Sequence, residues 1–256
     1  MTDLAERFGT PLVVYAEEAL RERARMFQRA VPDALVVYGT KAFPNVALMR
    51  LLAEEGLGAD VSTLGELAFA RRAGIEGERL LVHGNNKSDE ELRAAAEAGA
   101  LVVLDALDES RRAADAGVRR VMVRVTPGVE AETHDSIRTG HRGSKFGLDE
   151  DDAVEAVRAS LAAELDVEGL HVHVGSQLAD VCAHLLAITL LAQFADRCRT
   201  ELDWVPRTID VGGGFGIRHV EAEPEPAVEE LVGTVAAAGC RTYRRRSRRS
   251  GGPPPA

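Results

Sequence analysis

The chain has 256 residues, 45% of them hydrophobic and 28% charged, which is the composition of a soluble globular protein and excludes a collagenous, coiled-coil or wholly disordered chain. Forty-one acidic against 31 basic residues give a formal net charge of −10, which argues against nucleic-acid binding through a general positive field and favours small-molecule chemistry. No apolar run is long enough to span a bilayer, Asp3 and Glu6 stand where a signal peptide would be basic and then apolar, and Cys182, Cys198 and Cys240 suit neither a disulfide framework nor a C-x-x-C metal site, so a cytoplasmic protein without a membrane partner is expected.

Pro11 to Tyr15 and a helical stretch from Glu17 to Ala30 open the chain, and residues 1–34 are expected to form a strand and helix ahead of the main domain. A βα alternation then repeats. Leu35 to Tyr38 predicts a strand and Asn45 to Glu55 its helix. Ala59 to Ser62 pairs likewise with Leu64 to Ala73, and Arg79 to His83 with Asp89 to Ala98, where Ser88 is placed as N-cap. Leu101 to Asp105 predicts a fourth strand and Val121 to Val125 a fifth, whose helix, Glu150 to Glu164, follows only after a long segment rich in Gly and Thr. Loops of that length are usually functional. Gly169 to Val174 predicts a sixth strand before a helix from His184 to Glu201. Thr208 to Val211 predicts a seventh, before Gly212-Gly213-Gly214 and helix-forming Ala227 to Ala238.

Regular βα units imply parallel strands covered by right-handed crossover helices. Seven of them over residues 35–239 fit a (β/α)8 TIM-type barrel short of its eighth unit better than an open, doubly wound sheet. The dinucleotide fingerprint of such a sheet also fails, because Ile217 stands where G-x-G-x-x-G needs its last glycine. Residues 240–256 read as a separate tail, with six arginines, no acid and a terminal Gly-Gly-Pro-Pro-Pro-Ala.

In such barrels the reactive groups sit at the C-terminal ends of strands and in the loops that follow. Only three lysines occur, Lys41, Lys87 and Lys145. Lys41, just past the first strand, places a primary amine at the barrel mouth, and lysine is the side chain that condenses with a carbonyl. His171 and His173, two apart on a predicted strand, are expected on one face, which suits metal ligation with Asp60 or Asp210, a stack on a flat cofactor, or a buried hydrogen-bonded pair. His83 ends the third strand with no partner visible in the sequence. Gly212-Gly213-Gly214-Phe215-Gly216 follows the seventh strand, where barrels bind phosphate through backbone N–H groups, and Ser176 can add a hydroxyl. An amine for an aldehyde, a phosphate cup and an imidazole face together suggest pyridoxal phosphate, carried by Lys41, Gly213 with Gly214, and His173.

These motifs resemble the alanine-racemase-like barrel decarboxylases that use pyridoxal phosphate, and within them the diaminopimelate decarboxylases. The resemblance runs from about Leu4 to Glu230. It rests on the Lys41 segment, Asp60-Val61-Ser62-Thr63-Leu64-Gly65-Glu66-Leu67, His83-Gly84-Asn85-Asn86-Lys87-Ser88, Thr139-Gly140 with Ser144-Lys145-Phe146-Gly147, and His171 to Gln177. Asn85-Asn86-Lys87 and Gly175-Ser176-Gln177 favour this branch over ornithine or arginine decarboxylases. The resemblance implies that Lys41 carries the cofactor, that His173 stacks on its ring, and that Ser176, Gly213 and Gly214 bind its phosphate, with Asp60 and Arg124 secondary. It implies Lys41 and His173 as catalytic residues, no metal, meso-diaminopimelate as substrate, L-lysine and carbon dioxide as products, and a homodimer. Lys87 and Lys145 are expected to be loop charges that position backbone. Leu64 stands where the family commonly has glycine.

The family continues with an eighth strand bearing Glu-Pro-Gly-Arg and with a C-terminal β-domain, which this sequence does not show; Glu223-Pro224-Glu225 lies too close to the seventh strand and lacks a following Gly-Arg. The expectation is therefore an incomplete barrel, a frameshift or truncation near Gly239, and impaired activity of this chain. Two further readings stay open: a pyridoxal-phosphate-binding barrel without catalysis, and a metal-dependent barrel hydrolase using His171 and His173.

Overall fold

The computed structural model describes residues 2–126, 145–178, 180–218, 220 and 226–249, with 241–249 as backbone only. Thr139, Gly140, Ser144, the Glu223-Pro224-Glu225 segment and the tail from 250 lie outside the described residues. Helices α1 (Thr2–Phe8) and α2 (Glu17–Ala30) lead in. Then come β1 (Val37–Gly39), α3 (Val46–Glu54), β2 (Gly58–Val61), α4 (Leu64–Arg72), β3 (Leu80–Val82), α5 (Asp89–Glu97), β4 (Leu101–Leu104), α6 (Glu109–Asp115) and β5 (Arg120–Arg124). The last part holds α7 (Glu150–Ala162), β6 (Asp166–His171), α8 (Cys182–Leu202), β7 (Thr208–Asp210) and α9 (Val228–Arg249).

All seven strands run parallel, and each pairs with its neighbours in sequence, from β1 to β7 without a reversal. A doubly wound sheet reverses its strand order at a switch point, so this unbroken order is the wall of a barrel, with β1 and β7 at its two edges among the described residues.

Period-two alternation divides the core. Leu80, Val82, Val102, Leu104, Val121 and Val123 join the layer between strands and helices, whereas Leu81, Leu101, Val103 and Met122 form a second cluster on the opposite face. At the loops α3, α4, α5 and α7 start on capping side chains. Asn45 accepts from the Ala47 and Leu48 amides, Thr63 from Glu66, and Asp149 from Asp152, while Ser88 and Glu91 close a reciprocal capping box. Those caps fix where these four helices depart from the ends of their strands.

Three elements differ from the sequence reading. Strand β6 begins at Asp166, whose amide meets the Arg119 carbonyl, and ends at His171, the last residue paired with β7. His173 therefore lies in the loop just past the strand, and of the two histidines only His171 stands on β6. Pro11 to Tyr15 has no strand partner among the described residues; Tyr15 instead stacks on Phe43, with ring centroids 5.2 Å apart. Helix α9 crosses position 240 without a break, consistent with the good helix propensity of arginine.

Candidate active site

The strand ends gather ionisable side chains on one rim. Lys41 sits in a 3-10 turn, Thr40–Ala42, directly after β1. Thr40 is buried, and its Oγ1 donates to the Asp60 carbonyl at 2.8 Å, which ties the turn to β2 and leaves the Lys41 side chain exposed. His83 follows β3, anchored by its amide to the Val61 carbonyl at 2.8 Å. Its Nε2 lies 3.7 Å from Asp60 Oδ1, and its ring meets His171 edge to face at 4.6 Å. His171 Nδ1 in turn lies 2.9 Å from Asp210 Oδ2, off the line of a good hydrogen bond, while Asp210 Oδ1 accepts the Gly212 N–H at 2.8 Å. Asp60, His83, His171 and Asp210 thus form one continuous string across β2, β3, β6 and β7.

Environment sets the two carboxylates apart. Burial, and next the negative charge of Asp210, push Asp60 up to about 7 against the pull of His171 and Lys41; its Oδ1 is buried without a hydrogen-bond partner. Asp210 goes the other way. Burial works to raise it, but His171, His83 and the Gly212 amide hold it below the usual carboxylate range. Burial first, and then His171, Arg124 and Lys41, lower His173 to about 4, so at neutral pH its ring is uncharged. His83 lies well below the ordinary histidine value, mainly through burial and then through His171. Arg124 ends β5 as a buried cation, with Nε 3.6 Å from Asp105 Oδ1 and its guanidinium 4.8 Å over the Phe146 ring.

The glycine loop closes the other side. Gly212 has φ +68°, and a Cβ there would come within 2.8 Å of His173 Nδ1; Gly214 has φ +87°, and a Cβ there would overlap the Gly175 carbonyl oxygen. These positions need glycine both for conformation and for room. The loop is stitched to the one after β6 by Leu178 N to Gly214 O and Gly216 N to Leu178 O, both 2.8 Å, which sets Ser176 beside Gly214. Around Gly213 there is open space, and among the described residues neither the Gly213 nor the Gly214 N–H meets a carbonyl. Two free amides on a glycine turn next to an exposed hydroxyl are a donor set for phosphate. With the amine of Lys41, the neutral ring of His173 and the orphaned Asp60 oxygen, the residues present fit a phosphorylated aldehyde cofactor.

Some of this was hidden in the sequence. Lys87, expected as a loop charge, is 1% exposed: its ammonium donates to the Gly84 carbonyl at 2.6 Å and to Glu109 Oε2 at 3.0 Å. It does position backbone, but from the interior. Lys145 Nζ lies 4.9 Å over the Phe146 ring, and its carbonyl accepts from Asn85 Nδ2 at 3.1 Å. The ligand atoms close enough to hold a metal belong to His83, His171 and Asp210, within 4.8 Å of one another; among the described residues His173 does not join them. His83 acquires its partners only through strand order, which no local motif records. His184, hydrogen-bonded to the Gly213 carbonyl, had no sequence signal beyond standing at the start of a helix.

The family model described as pyridoxal-dependent decarboxylase, pyridoxal binding domain, matches residues 17–247. Among curated proteins, the diaminopimelate decarboxylase of Bacillus subtilis (strain 168) is 42% identical over 253 residues, 91% of this chain and 56% of its own length. Among solved structures, diaminopimelate decarboxylase from M. jannaschii in co-complex with L-lysine superposes with a TM-score of 0.85 at 30% identity, over 96% of this chain and 59% of that one. SrLDC in complex with PLP and cadaverine superposes with a TM-score of 0.81 at 25% identity, over 95% and 60%. The chain spans a little over half the length of these relatives. Among the described residues no helix is long and apolar enough to cross a membrane.

Proposed function

The chain belongs to the pyridoxal-dependent decarboxylases as their pyridoxal-binding domain, and from that premise we propose that it serves the decarboxylation of meso-diaminopimelate to L-lysine and carbon dioxide, in a homodimer in the cytoplasm. The observation that carries this reading is the convergence of an exposed amine, a neutral imidazole and two free glycine amides on one rim. The sequence similarity to diaminopimelate decarboxylases supports the substrate.

When bound, pyridoxal phosphate supplies an aldehyde for an amine and a ring that takes up the electron pair left at the α-carbon as carbon dioxide departs. Lys41 would hold the cofactor through its primary amine. His173, uncharged at neutral pH, offers a flat face without placing a proton against the ring. Gly213, Gly214 and Ser176 bind the phosphate through N–H and O–H donors. Asp60, pushed up to about 7, can hold or release a proton near working pH, while Arg124 balances the Asp60 and Asp210 charges.

The test is the visible spectrum of the purified chain with pyridoxal phosphate before and after borohydride, native against Lys41→Ala, followed by carbon dioxide release from diaminopimelate. A reducible band whose label maps to Lys41 is expected. A folded, colourless chain carrying stoichiometric zinc would overturn the reading in favour of a site on His83, His171 and Asp210.

A further inference from the structure

His184 is the third residue of α8 and fully buried. Its Nε2 lies 2.9 Å from the Gly213 carbonyl oxygen. A carbonyl only accepts, so Nε2 carries the proton and the ring is the neutral Nε2–H tautomer. Its Nδ1 is buried with no partner, so a second proton would have nothing to bond. The ring lies flat on Phe215, with centroids 4.8 Å apart and an interplanar angle of 8°. Phe215 is itself held by the backbone bridge to Leu178. One side chain from the crossover helix therefore grips two successive parts of the glycine loop.

The peptide joining Gly213 to Gly214 is planar and trans, so its carbonyl and the following N–H point in opposite directions. Fastening the Gly213 oxygen on the helix side turns the Gly214 N–H away from α8. Glycine backbone offers no steric reason to keep that peptide plane in one orientation. We propose that His184 is a positioning residue for the phosphate cup: its Nε2–H fixes the Gly213–Gly214 peptide so that the Gly214 N–H is presented to the phosphate of the cofactor. The inference rests on the proposed function above and assigns His184 no contact with the cofactor.

The variant His184→Phe keeps a ring to stack on Phe215 and deletes the hydrogen bond. His184→Gln keeps a donor at a similar reach and deletes the ring. Each is titrated with pyridoxal phosphate and with unphosphorylated pyridoxal, following the visible band. His184→Phe is expected to bind pyridoxal phosphate about tenfold more weakly, the scale of one hydrogen bond to an acceptor left unpaired, with pyridoxal affinity unchanged. His184→Gln is expected to keep the native preference for the phosphorylated form. Equal weakening toward both ligands, or no weakening in His184→Phe, overturns the proposal while leaving the cofactor assignment intact. If His184→Phe does not fold, His184→Gln decides: loss of the phosphate preference overturns the proposal, and its retention supports it. A native chain that binds neither ligand removes the functional reading and this inference with it.

Discussion

His171 and Asp210 are the last residues paired between β6 and β7, and their side chains meet beyond that pair, Nδ1 lying 2.9 Å from Oδ2. The carboxylate beside the histidine also accepts the Gly212 N–H, so one group joins the end of the sheet to the start of the glycine loop. Because its pKa is depressed in the folded chain, its contribution is present above the ordinary aspartate value and is lost as pH falls below it.

Replacing Asp210 by Asn keeps an acceptor for Gly212 and removes the charge. Charge-assisted hydrogen bonds contribute about 1.5–3 kcal/mol, so urea unfolding at neutral pH should show Asp210→Asn destabilised by roughly that amount. The gap to the native chain should narrow below about pH 4. A gap constant with pH would show that the loss is one of packing.

Lys87 and Glu109 are each 1% exposed, and Glu109 Oε2 also accepts the Asp105 amide at 2.7 Å. Lys87→Met strands a buried carboxylate, for which about 3–5 kcal/mol is expected. Adding Glu109→Gln removes the stranded charge and keeps an acceptor for Asp105. Denaturant melts of the double variant should therefore recover most of the loss. A double variant no more stable than the single one would mean that the pair matters through shape.

The barrel wall was legible because most strands are short apolar runs separated by helical patterns, with Ser88 visible as the cap of α5. Lys41 and the glycines were legible for a related reason, since their positions follow directly from the strand ends. The string from Asp60 through His83 and His171 to Asp210 was legible only in part: Asp60 and Asp210 stood as candidate partners of His171, but His83 between them did not, because members up to 150 residues apart meet only once β2, β3, β6 and β7 close into one wall. The sixth strand was read three residues too far, since it ends at His171 and His173 follows in the loop. The burial of Lys87 was not legible, because a buried loop cation and an exposed one look alike until Glu109 arrives from α6.

Asp60 should leave a signature in pH-dependent stability. Its folded pKa of about 7 exceeds the unfolded value, so between about pH 4 and 7 the folded chain binds the extra proton and stability from this group falls as pH rises through that window. His173 opposes it: with a folded pKa of about 4, below the unfolded value of about 6.5, it loses stability as pH falls through its own window. Thermal melts from pH 4 to 8 should show Asp60→Asn gaining on the native chain toward the alkaline end. An Asn variant that tracks the native curve in parallel would mean that Asp60 is ionised across the whole range.

Gly214→Ala asks the loop to accept a Cβ at φ +87°, where it would overlap the Gly175 carbonyl. A left-handed conformation costs an L-residue about 1–2 kcal/mol, and the overlap requires the two loops to part, breaking the bond from Leu178 N to Gly214 O. The loop lies on the rim, away from the interior cluster around Met122, so the barrel should still fold. Circular dichroism should be near native while affinity for pyridoxal phosphate falls at least about tenfold, the equivalent of 1.4 kcal/mol. Pyridoxal, which lacks the phosphate, should bind the variant and the native chain alike. A Gly214→Ala chain that retains native affinity for the phosphorylated form would place the phosphate elsewhere on the rim.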